Sequence, residues 1–123
     1  MTLVSGMVRG IRGATYIENN EADCIIKETK LLLLEIVEKN QIKAEDICSI
    51  LFTSTPGLNA SFPAMAAREL GWKYVPMLCS VEIDVPDSLQ NCVRVLMHVN
   101  TFLKQDQIKH VYLKEAKKLR DDL

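Results

Sequence analysis

A chain of 123 residues has room for one domain with a modest core, here residues 1–123 as a single unit. Its 48% hydrophobic and 25% charged residues are those of an ordinary globular protein, and 15 Lys and Arg against 16 Asp and Glu leave a net charge of -1. That balance excludes an electrostatic footprint for nucleic acid or an anionic membrane, and an aromatic content of 6% excludes a base-stacking surface.

No apolar run approaches the ~20 residues that a membrane-spanning helix needs. The start, Met1-Thr2-Leu3-Val4-Ser5-Gly6, lacks the basic and apolar regions of a secretory signal and reads as a loose extension of residues 1–6. The four cysteines (Cys24, Cys48, Cys79, Cys92) show no CxxC spacing, and three sit in apolar surroundings where Cys behaves as a small hydrophobe. A reduced, cytoplasmic protein is the simple expectation.

In chain order, Met7 to Ala14 reads as a strand carrying Arg9 and Arg12 beside Gly10 and Gly13. Arg12 shares a face with Val8, Gly10 and Ala14, and on this stretch alone it is equally a solvated edge-strand charge. Asn19-Asn20 offers an N-cap for a long helix whose apolar stripe is Ile25, Ile26, Thr29, Leu32, Leu33, Ile36 and Val37. Lys27, Glu28, Lys30, Glu35, Glu38 and Lys39 are assigned to its solvent side. Ile47 to Ser54 reads as a buried strand, ended by Thr55-Pro56-Gly57.

Ser61 then caps a helix over residues 62–70, stopped by Gly71, with Phe62, Ala66 and Leu70 expected to pack together. Arg68 leaves from another side, as a solvated helix charge does. Strands follow over Tyr74 to Val81, residues 91–99, and Ile108 to Leu113, and the polar tail from Glu115 has room for about one helical turn. Five strands and two main helices predict an α+β domain on a mixed sheet. So few helices leave part of the sheet bare, which predicts an oligomer.

The chemistry centres on Glu82 and Arg94. Both fall in stretches that otherwise read as buried strand, Cys79 to Val85 and Asn91 to Met97. A buried charge costs several kcal/mol unless it is paired. Arg94 therefore calls for an anionic partner, a side chain or a ligand. No GxxxxGK or GxGxxG phosphate loop is present, and His98 and His110 lack metal-ligand spacing. Cys79 has no recognisable base beside it in the sequence. Arg12, Arg68, Arg94, Glu82 and Tyr112 remain, a set suited to a small organic ligand with several negative charges.

Six strings carry a resemblance: Arg9-Gly10-Ile11-Arg12-Gly13-Ala14-Thr15, Phe62-Pro63-Ala64, Ala67-Arg68-Glu69, Glu82-Ile83-Asp84-Val85, Cys92-Val93-Arg94-Val95 and His110-Val111-Tyr112-Leu113. In order, and spread from about Val8 to Leu123, they resemble the monofunctional chorismate mutases of the AroH class. The resemblance implies a homotrimer in the form of a pseudo-α/β-barrel, with active sites between subunits. It also implies a Claisen rearrangement of chorismate to prephenate, on the way to phenylalanine and tyrosine, with no cofactor and no metal.

By resemblance, Arg94 would meet the ether oxygen, and Arg12 with Tyr112 the side-chain carboxylate. Glu82 and Cys79 would hold the ring hydroxyl, with Leu78, Ser80 and Val81 also among the substrate-binding residues. Phe62, Ala64 and Arg68 would come from the neighbouring subunit, and Leu119 with Arg120 would close the cleft. Three positions depart from the family pattern: Met65 where Lys is common, Tyr16 where a smaller residue stands, and Asp121 in place of Pro after Arg120. Two other classes fit the arginines: a non-catalytic binder of a small dianionic metabolite, and an enzyme like the trimeric imine deaminases. Loss of chorismate absorbance without added cofactor separates them from a mutase.

Overall fold

The computed structural model describes residues 6–120, so the expected loose extension lies outside the described residues except for Gly6, and so does Asp121. Its elements are β1 (Met7–Tyr16), α1 (Ala22–Lys39), β2 (Ile47–Ser54), α2 (Ala64–Glu69), β3 (Met77–Val81), β4 (Cys92–Thr101) and β5 (Val111–Tyr112), closed by a 3-10 helix at Lys114–Arg120. The strands form one mixed sheet in the order β3-β2-β4-β1-β5. β4 runs antiparallel to both β1 and β2, while β2–β3 and β1–β5 are parallel. The expected α+β class with five strands and two helices is what the chain adopts.

The two faces of the sheet follow from strand alternation. Val93, Val95, Met97 and Val99 of β4 are buried beneath the helices, together with Ile11, Ile50 and Phe52 from the neighbouring strands. Arg94, Leu96 and His98 point the other way, opposite Ala14, Arg12 and Gly10 of β1. On β2 the alternation survives a bulge between Ile47 and Ser49, which lets Ile47 and Ile50 both reach the core. Both helices pack on one face, leaving the other to Val8, Arg12, Leu51, Leu78 and Arg94, all exposed.

Helix α1 buries Ile25, Thr29, Leu32, Leu33 and Ile36, the expected stripe in outline. Two details differ. The cap is Glu21, without a side-chain bond, because the Asn20 side chain is spent on Asn59 and the Asn59 and Ala60 backbone amides. Glu28, assigned to the solvent side, is buried and bonded to Lys114.

Other boundaries also move. α2 is shorter than 62–70, starting after Pro63, and Phe62 stands 71% exposed rather than packing on Ala66 and Leu70. Gly71 does stop the helix region, at φ +86, a left-handed conformation that suits glycine. β3 begins only at Met77, and Tyr74 is exposed. β5 keeps two of the six expected residues, because Asn40 instead bonds both backbone groups of Lys109. The tail forms a 3-10 helix longer than one turn.

At Gly13 the sheet packs closely on helix α1. A Cβ there would meet Ile36 Cδ1 at 2.7 Å, Leu32 Cδ1 at 3.1 Å and the Val111 carbonyl oxygen at 3.2 Å. Ile36 and Leu32 are fully buried, so neither can swing aside freely. Gly13→Ala is expected to lower unfolding stability by about 1–3 kcal/mol, read as a shifted urea midpoint at fixed protein concentration.

Candidate active site

The open face of the sheet carries a cavity of about 630 Å³ lined by Arg12, Thr53, Glu82, Arg94, Tyr112 and Leu119, among others. Each residue arrives by register. Ala14 of β1 lies opposite Arg94 and beside Tyr112, and Thr53 of β2 lies opposite Arg94 on the other side. Arg12 is two residues along β1, on the same face. The Arg12 amide donates to His110 Nδ1 at 2.9 Å, a ring taking the place of a strand partner just before β5 begins. His110 is therefore structural, as its spacing suggested.

Glu82 lies one residue beyond β3 rather than inside a buried strand. Its amide still continues the ladder, donating to the Ser54 carbonyl at 2.8 Å. The carboxylate is only 18% exposed, and Oε1 accepts from Thr53 Oγ1 at 2.8 Å and from Arg94 Nε at 3.1 Å. Oε2 takes part in neither bond, nor do the two terminal nitrogens of the guanidinium. The expected anionic partner of Arg94 is thus, within one chain, a side chain.

The expected burial of Arg94 is not met in the single chain. Its side chain is 45% exposed, because both α-helices cover the other face and the 3-10 helix packs on this one beside it, at Ala14 and Cys92. A half-exposed ion pair contributes only about 0–1 kcal/mol to stability. What it does supply is orientation: the contact through Nε restrains the guanidinium of a side chain that lines the cavity, without using its terminal nitrogens. The segment 83–85 is exposed as well, with Ile83 at 82%, so it is a rim and not a core strand.

A second cavity, of about 620 Å³, lies against Thr55, Leu58, Phe62, Pro63, Cys79 and Val81. Cys79 and Glu82 are three residues apart, so strand alternation sends them to opposite faces. The expectation that both hold one hydroxyl is not met within a chain. Cys79 belongs instead with α2. Burial pushes its thiol pKa up, while the Ala64 backbone and the Arg68 charge pull it back in part. Cys92 is raised to about 11, chiefly by burial. Both thiols are therefore protonated near neutral pH, as hydrogen-bond donors and not nucleophiles.

The sequence-predicted residues thus separate into two sets. Arg12, Glu82, Arg94, Tyr112 and Leu119 share the first cavity; Phe62, Cys79, Ser80 and Val81 share the second. Ala64 and Arg68, on α2, lie near Cys79 of β3, and Leu78 stands 69% exposed on the open sheet face. The side chain of Arg120 lies outside the described residues. Thr53 was missed, since a lone Thr in an apolar strand gives no signal of the carboxylate it will hold. Thr55 was read only as a turn residue, but it is buried and exchanges two bonds with Cys92, its Oγ1 and its amide both engaged. Among the described residues no group of three or more His, Cys, Asp or Glu could hold a metal, and no helix is long and apolar enough to cross a membrane.

The sequence and the fold resemble those of known proteins. The sequence matches the family Chorismate mutase type I over residues 8–123. It is 51% identical over 118 residues to Chorismate mutase AroH of Bacillus subtilis (strain 168), covering 95% of this chain and 93% of that protein. It is 46% identical over 118 residues to Chorismate mutase AroH of Thermus thermophilus, covering 95% and 97%. A solved chorismate mutase from Clostridium thermocellum superposes with a TM-score of 0.88 at 53% identity, over 89% of this chain and 98% of that one. On these matches, and with a fold and a cationic cavity to go with them, the chain belongs to the chorismate mutase type I family, isomerases of aromatic amino acid biosynthesis.

Proposed function

We propose that the rearrangement of chorismate to prephenate takes place in clefts shared by neighbouring copies of this chain in a homotrimer. One copy offers the cavity of Arg12, Glu82, Arg94 and Tyr112, and the next offers Phe62, Ala64, Arg68 and Cys79. The observation that carries this reading is the convergence of two guanidinium groups, a carboxylate and a phenol in one cavity on the open sheet face. Exposed Leu51, Leu78 and Phe62 supply apolar surface for the neighbour to cover.

The reaction is internal to the substrate. One C–O bond of the ether breaks, one C–C bond forms between arm and ring, and no proton leaves. Such a step needs an oriented, partly charged transition state stabilised in place. Arg94 places its terminal nitrogens at the ether oxygen as negative charge develops there. Arg12 and Tyr112 hold the carboxylate of the folded arm, and Glu82 accepts from the ring hydroxyl. Cys79, protonated, donates to that hydroxyl from the neighbouring copy. Leu119 and Arg120 close the cleft. Holding the arm over the ring supplies the orientation part of the acceleration, which in well-ordered sites amounts to several kcal/mol.

We place the protein in the cytoplasm, where the free thiols of Cys24, Cys48, Cys79 and Cys92 stay reduced. The test is loss of chorismate absorbance on adding purified protein without cofactor, followed by the Arg12→Ala variant. Losing one charge-assisted contact to a carboxylate is expected to raise KM about 10–100-fold while the trimer persists in sedimentation. An unchanged KM would make Arg12 a solvated strand charge and remove it from the site.

A further inference from the structure

β5 contributes Tyr112 to the cavity, yet it pairs with β1 through only two residues, Gly13 with Val111 and Ala14 with Tyr112. A strand so short does not hold its own position. Its stability comes from what brackets it, the side chain of Asn40 at the C-terminal cap of α1 and that of Glu28 within the helix. Before β5, Asn40 takes the Lys109 carbonyl at 2.9 Å through Nδ2 and receives the Lys109 amide at 2.8 Å on Oδ1. After β5, Lys114 Nζ reaches Glu28 Oε2 at 2.8 Å, and Glu28 is the one buried charged residue among the described residues.

Lys114 is also where the chain reverses. Its φ is 53, an uncommon conformation for a residue that is neither Gly nor Asn, and one sustained only when the surroundings impose it. From this turn the 3-10 helix runs back over the sheet. Ala116, fully buried, packs with Ala14 and Cys92, and Tyr112 and Leu119 lie against the same cluster. The turn at Lys114 therefore sets two residues of the cleft together, one on each side of it.

We propose that the Glu28–Lys114 ion pair is a positioning device for the active site, fixing the left-handed turn that aims Tyr112 and Leu119 into the cleft. It touches no substrate and acts through those two residues. The proposal rests on the assignment of Tyr112 to the substrate carboxylate. The hydrogen bond to Glu28 holds the Lys114 ammonium pKa up, with smaller contributions from Glu18 and Cys24 nearby.

The test uses the full-length protein and four variants: Glu28→Gln, Lys114→Asn, the charge reversal Glu28→Lys with Lys114→Glu, and Tyr112→Phe. Lys114→Asn tolerates the left-handed turn but cannot reach Glu28, so it separates the turn from the ion pair. Glu28→Gln and Lys114→Asn are expected to raise KM for chorismate about 5–20-fold with kcat within about twofold, assayed well below their melting temperatures. The reversal is expected to return KM to within about threefold of the parent. Failure of the reversal to recover KM, or a normal KM in Lys114→Asn, overturns the proposal. A raised KM in Tyr112→Phe beside a normal KM in Glu28→Gln overturns the positioning role alone. A normal KM in Tyr112→Phe instead removes Tyr112 from the site, and the device with it.

Discussion

Replacing Arg94 by lysine is expected to lower kcat for chorismate by about 10²–10³-fold, and replacing it by alanine by at least that much. Lysine keeps the charge but not the geometry. In the parent protein Nε is engaged by Glu82 Oε1 at 3.1 Å, a contact that does not use the terminal nitrogens of a side chain lining the cavity. An ammonium is a single point at the end of a flexible stem, without the planar fork that holds Glu82 through one nitrogen and leaves two others to the ether oxygen. Because the oxygen is most negative in the transition state, the loss falls on kcat more than on KM. Steady-state kinetics with melting curves would check this. Near-parental turnover in Arg94→Lys, in a folded protein, would remove Arg94 from the reacting oxygen.

The second expected result concerns the shared cleft. Arg94→Ala damages the cavity on the open face, and Arg68→Glu places an anion beside Cys79 on the opposite side, where a negatively charged substrate would be repelled. Each variant alone is expected to have less than ~1% of parental activity. Co-expressed in equal amounts, they assemble randomly. If each site joins one cavity from each of two neighbours in a closed ring, about a quarter of the sites receive two undamaged halves. Recovery to roughly that fraction, with mixed trimers verified by native mass spectrometry, is therefore expected. Mixed trimers without recovery would mean that each chain builds its site alone.

Within one chain the two cavities cannot merge, and strand alternation is the reason. Cys79 and Glu82 were expected to hold the same hydroxyl, but an odd number of residues separates their faces along the β3 line. The same alternation made the helix-side core of β4 legible beforehand, since Val93, Val95, Met97 and Val99 form a row in the sequence itself. It was less clear which face a solitary Arg94 would meet. Both faces of β4 read as apolar, and only the placement of α1 and α2 together showed that one is left by the α-helices, with the 3-10 helix packing on it at Ala14 and Cys92.

Glu28 makes the same point from the core outwards. Helical periodicity put it among the solvent-side charges, correctly so for an isolated amphipathic helix. It is buried in the fold, and its partner there is Lys114, 86 positions away along the chain. Asn20 was read as a cap for α1 because Asn favours such positions. In the fold it clamps the loop at Asn59 and Ala60 that leads to Phe62, a contact across the chain that no local pattern encodes.

Local chemistry, then, was readable from residue order: where strands and helices run, which rows are apolar, and which few charged groups are suited to an anionic ligand. Those properties depend on neighbours a few residues away, through backbone geometry and periodic burial. The grouping of those charges into two separate cavities, and the ion pair behind Tyr112, came from packing between distant segments. Their energies arise from contacts that exist only once the sheet has twisted and the helices have chosen a side, so no stretch of the chain carries them alone.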